Sequence, residues 1–162
     1  MEIQYLTELE AKPKRNAQTS PVEGYSESEI IQLEQSFNNG NTFPRAYREY
    51  LFLAGKFSWI LEQGEELPEL MSSFNFYLEP TGIVMTRPFV PFGVTGPGHE
   101  GFYICYLDEG DDPSVHIVYM ADPFEREARD LPEMELVHQS FSYFVNSCVS
   151  WQSSPENKFH NP

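Results

Sequence analysis

Basic residues are scarce in this chain. Ten lysines and arginines face 25 aspartates and glutamates, a formal net charge of −15 over 162 residues. A phosphate backbone would repel such a surface, which sets nucleic-acid binding aside. Cysteine is scarcer still. Cys105 and Cys148 each sit inside an apolar pattern, and no CxxC pair offers a zinc or redox centre. Two unpaired thiols in a reducing compartment are the expectation, although the spacing is also compatible with one disulfide. Long apolar runs are missing: none approaches the roughly 18 residues of a spanning helix. The opening MEIQYLTELEAKPKRNAQ holds acids early and no stretch of signal-peptide length. A soluble, cytoplasmic protein without a membrane partner is therefore expected.

Recognisable catalytic motifs are missing too. GVTGPGHEG is glycine-rich but is neither GxGxxG nor GxxxxGK[ST], and no helix follows it to present amide donors to a phosphate. No GxSxG places a nucleophile on a sharp turn. His99-Glu100 begins like a zincin motif, but Tyr103 stands where the second histidine would be. An EF-hand loop counted from Asp108 has Gly110 at its third position, Pro113 at its sixth and Tyr119 at its twelfth, so it fails as a calcium site. His116 alternates within a strand pattern, as a packed side chain would. His138 and His160 have no partners at ligand spacing. No enzyme activity, metal or cofactor is expected.

What is present is a domain-sized chain with 15% aromatic residues, enough to build a core. IQYLTEL reads as a short strand or a helical turn, and the polar segment after it, with Lys12, Lys14 and Arg15, reads as a loop. Ser26 and Glu29 form a capping box. Ile30, Leu33, Glu34 and Phe37 then follow at helical spacing, widened by Ile31, until Asn38-Asn39-Gly40 stops the helix. Pro44 suits the first position of a second helix with Tyr47, Tyr50, Leu51 and Ala54 on its buried face. A third helix is expected between 67 and 77. FVPFG is a short extended run with a proline suited to an edge. FYICYL and VHIVYM, split by the turn formers of DEGDDPS, read as an antiparallel hairpin over 102–107 and 115–120. ADPFEREARDLPEMELV reads as a polar excursion. Ser140 caps a last helix with Phe141, Phe144, Val145, Cys148 and Val149 on one face. Phe37, Tyr47, Leu51, Phe92, Ile104, Ile117, Phe141 and Phe144 are the expected core, with the helices on one face of the sheet.

The order of these elements resembles the SMI1/KNR4 family of the SUKH superfamily. Glu29-Ile30 and Leu33-Glu34 match its first helix. Phe43-Pro44, Tyr47, Tyr50 and Leu51 match the start of its second, with Phe in place of the usual Leu. Phe89, Pro91, Phe92 and Gly93 match its F-x-P-F-G, Gly98, Gly101 and Phe102 its turn into a strand, and Ser140, Phe141 and Phe144 its closing helix. His99-Glu100 departs from an acidic-glycine turn. The resemblance covers about residues 25–151, between an unaligned extension at 1–24 and a tail at 152–162. It implies an α+β fold, with helices packed against a twisted antiparallel β-sheet. It also implies an immunity protein of bacterial competition, which binds and neutralises a cognate polymorphic toxin, in a superfamily with no known shared catalytic residues. Regulatory or scaffold modules of the same superfamily are the alternative. The acidity of the chain suits a basic toxin, for instance a nuclease. The density of acids makes Glu100, Asp108, Glu109, Asp111 and Asp112 the expected contact residues, with a solvated hairpin tip as the alternative. As solvated turn residues they should tolerate neutralisation within about 0.5 kcal/mol of fold stability.

Overall fold

A computed structural model of the chain describes residues 1–11, 22–57, 61, 65–95 and 100–152. The expected loop with Lys12, Lys14 and Arg15, His99 and the tail from 153 onward lie outside them. The described residues form an α+β fold of six α-helices and one four-stranded antiparallel sheet in the order β1-β2-β3-β4. The helices are α1 (Thr7–Ala11), α2 (Glu27–Phe37), α3 (Arg45–Ala54), α4 (Leu67–Leu78), α5 (Pro123–Arg129) and α6 (Phe141–Gln152). The strands are β1 (Phe89–Thr95), β2 (Gly101–Tyr106), β3 (Val115–Tyr119) and β4 (Met134–His138).

The local chemistry follows the sequence pattern at most termini. The capping box at α2 is complete: the Ser26 amide donates to Glu29 Oε2 at 2.7 Å, and the Glu29 amide donates to Ser26 Oγ at 3.3 Å. Ile30 and Leu33 of α2 are buried, but Ile31 is half exposed and does not widen the stripe. Pro44 is the N-cap of α3, one position before the first helical residue. Phe92 falls in a bulge of β1, between Pro91 and Gly93, and enters the core, where its ring lies 4.8 Å from that of Phe141 and 6.3 Å from that of Tyr50.

Helices cover both faces of the sheet, not one. The cause is visible along β2. Tyr103 and Cys105 point to one side, into the main core with Tyr47, Tyr50 and Leu51 of α3, Phe92 of β1, and Phe141, Val145 and Val149 of α6. Phe102, Ile104 and Tyr106 point to the other side, where Leu70 and Phe74 of α4 meet them in a second cluster. A strand that is apolar at successive positions needs cover on both faces. Of the expected core, Tyr47, Leu51, Phe92, Ile104, Ile117 and Phe141 are buried, and Phe37 and Phe144 pack partly buried against it.

Residues 1–11 belong to the main core. Leu6 and Leu9 have no exposed surface, and Tyr5 accepts a bond through its carbonyl from Asn146 Nδ2 of α6 at 2.9 Å. The polar excursion after β3 contains two regular elements. Asp122 caps α5 by accepting from the Glu125 amide at 2.8 Å, with Pro123 at the first helical position. Strand β4 follows, with the burial of a half-solvated edge.

Candidate functional site

The acidic turn between β2 and β3 is built into the fold. Gly110, at φ +85°, gives it the left-handed residue that a side chain would resist. Its backbone closes two helix N-termini, whose first amides have no partner within the helix. The Asp111 carbonyl accepts from the Ala46 amide of α3 at 2.8 Å, and the Pro113 carbonyl accepts from the Phe141 amide of α6 at 2.7 Å.

The carboxylates are mostly engaged. Asp112 Oδ1 accepts from the Ser142 amide at 2.7 Å, and Oδ2 accepts from the hydroxyls of Ser140 at 2.7 Å and Ser142 at 2.8 Å. It therefore caps α6, with its charge placed favourably at the positive end of the helix dipole. Asp108 takes a two-pronged bond from Arg87, 2.6 Å at Nη2 and 3.2 Å at Nε. Glu109 takes a further bond from Arg87 Nη2 at 2.9 Å and accepts from both the amide and the hydroxyl of Ser114. The Arg87 guanidinium in turn lies 3.9 Å from the centre of the Tyr106 ring. The hydrogen bond from Arg87 holds the Asp108 carboxyl below the usual range. Burial works to raise the Glu109 carboxyl, but the bonds from Ser114 and Arg87 outweigh it and lower it. The Arg87–Asp108 pair is exposed on both sides, so solvent screening keeps its net contribution small.

Glu100 does not join this group. It precedes β2, whereas the turn follows it, and the six residues of β2 separate them by about 20 Å. Glu100 lines a hollow with Tyr119, Met120, Glu125 and Arg129, where Arg129 is tied to Glu125 at 2.8 Å. The five expected contact residues therefore occupy two ends of the hairpin.

The region that periodicity alone misses is β4. It is one edge of the sheet, and Leu136 and Val137 on it are 49% and 39% exposed. Six carboxylates and two arginines lie between Asp122 and Gln139. The alternation of Glu133, Met134, Glu135 and Leu136 was the available signal, weak because no side of it is fully buried.

Both cysteines are free, Cys105 buried on β2 and Cys148 half-buried on α6. Burial pushes both thiols up. Among the described residues no three His, Cys, Asp or Glu side chains converge as metal ligands would, and no helix is long and apolar enough to cross a membrane. In comparison with known proteins, the family model described as SMI1 / KNR4 family (SUKH-1) matches residues 24–147. No curated protein and no solved structure matches the chain.

Proposed function

Because the chain belongs to the SMI1/KNR4 (SUKH-1) family, we propose that it is an immunity protein that binds a cognate toxin and neutralises it by occupying its surface, without catalysis. The family match over 24–147 is the observation that carries this reading. The charge of −15 supports a basic partner, such as a nuclease whose own surface attracts phosphate. In this reading Glu100, Asp108, Glu109, Asp111 and Asp112 contribute to the field that draws the partner in. Asp108, Glu109 and Asp112 already hold internal bonds in the free chain, so their influence would fall on the association rate.

Co-expression with the toxin-bearing protein encoded beside this gene tests the reading. Growth should be rescued, and the two proteins should purify together. Binding without rescue would instead identify a regulatory module. Neither binding nor rescue would defeat the reading.

A further inference from the structure

The two edges of the sheet are unequal. Strand β1 carries Pro91, which has no amide to donate, and α4 packs against it, with Val90, Pro91, Phe92 and Gly93 all buried. Such devices protect an edge from pairing with foreign strands. Strand β4 is less guarded, with α6 beside it and one bulge, at Val137, toward its C-terminal end. It contains no proline and no lysine, and its central side chains Glu135, Leu136 and Val137 are exposed.

Its hydrogen-bonding pattern leaves one side open. The Tyr119 amide donates to the Glu133 carbonyl at 3.1 Å, which marks Glu133 as a residue whose backbone faces β3. In an antiparallel ladder these positions alternate, so Glu135, opposite Ile117, also faces β3. The amides and carbonyls of Met134 and Leu136 then point away from the sheet. Among the described residues none bonds to them across that edge.

The side chains along β4 alternate in chemistry. Met134 and Leu136 share the face of Val118 and His116, their partners on β3. Glu133 and Glu135 share the opposite face. A strand laid alongside would be matched best by apolar residues beside Met134 and Leu136 and cations beside Glu133 and Glu135. A second copy of this chain is disfavoured as occupant, because it would bring another −15 and set carboxylates against carboxylates.

We propose that β4 accepts an extended segment of the toxin, alternating basic and apolar residues, as a fifth strand of the sheet. This rests on the immunity reading and gives it a contact surface. Main-chain bonds to Met134 and Leu136 would supply affinity, and the alternation would supply selectivity. The Tyr143 ring, stacked on His138 at 4.5 Å, stands at the C-terminal end of the strand and bounds the site there.

The probe is a short blocked peptide alternating lysine and valine, titrated against the full chain while amide exchange is followed residue by residue. The expected result is new protection at the Met134 and Leu136 amides. Leu136→Lys should weaken binding at least about tenfold, and so should Glu133→Lys combined with Glu135→Lys, through like-charge contact. These are surface positions, so circular dichroism should stay unchanged. A peptide with glutamate in place of lysine should not bind. No binding, protection elsewhere, or equal binding of the glutamate peptide would overturn the proposal. So would a dimer of the free chain that Leu136→Lys dissociates, or full growth rescue by Leu136→Lys. Failure of the wild-type chain to rescue growth, with β4 still protected by peptide, would defeat the immunity reading and leave the edge as a strand-binding site.

Discussion

Glu49 has no exposed surface, yet its carboxylate is fully matched. Its oxygens accept from the amides of Gln4, Tyr5 and Leu6 at 2.9, 2.8 and 3.0 Å, and Arg45 Nε donates to Oε1 at 3.0 Å. Replacing Glu49 with Gln removes the charge and turns one acceptor into a donor facing donors. The loss should be about 2–4 kcal/mol, read as a lower urea midpoint, with exchange at residues 4–6 accelerated. Nothing in the sequence marks Glu49 as buried. Arg45 and Glu49 look like a solvated i,i+4 pair, and the donors lie 43 to 45 positions earlier. His116 makes a second test. Burial, with Arg87 acting in the same direction and Glu109 opposing, lowers its pKa from 6.5, and its Nδ1 has no hydrogen-bond partner among the described residues. The unfolded chain thus takes up this proton first as pH falls. The stability that neutral His116 contributes is present above about pH 6.5 and is lost as pH falls toward the lowered folded value. Relative to wild type, His116→Gln should show a shallower loss of unfolding free energy between about pH 7 and pH 5.

At the scale of elements, legibility followed burial. The capping box of α2, the aromatic stripe of α3 and the i, i+3, i+4 pattern of α6 were readable because each buries a face and carries its own start signal. The β2–β3 hairpin was readable from its β-branched and aromatic runs. Helix α5 buries no residue, so only its Asp122-Pro123 cap could have announced it. Strand β4 is short and half-solvated, and α1 is held by partners far away in the chain. The acidic turn was visible as a turn, but its attachment to α3 and α6 was not, because caps supplied by a distant loop leave no local pattern. That attachment changes one expectation. Asp112→Ala should cost about 0.5–2 kcal/mol in thermal or urea unfolding, the usual loss for a helix cap, whereas Asp111→Asn should stay within about 0.5 kcal/mol. Asp111 uses its carbonyl, which the substitution keeps.

For the whole molecule the governing quantity is its charge of −15. Added salt should slow association with a basic partner more than it speeds dissociation, because exposed charges act over a Debye length of about 8–10 Å. Neutralising Glu100, Asp108, Glu109 and Asp111 together should lower the on-rate measured by stopped flow and flatten its salt dependence. An unchanged on-rate at low salt would remove the acidic turn from the encounter. The joining of α1 to α6 bears on how the protein is made. Tyr47, Tyr50 and Phe92 each pack against Phe141, with ring centres 5.8, 5.8 and 4.8 Å apart, and Tyr5 is bonded to Asn146. During synthesis residues 141–149 leave the ribosome after every other part of that core. Until they emerge, these aromatic faces have no cover, and the growing chain resembles the exposed intermediates that aggregate or recruit chaperones. A product cut short before α6 should therefore be cleared by proteolysis rather than persist as a partly folded domain, which makes the folded state an all-or-none outcome of completed translation.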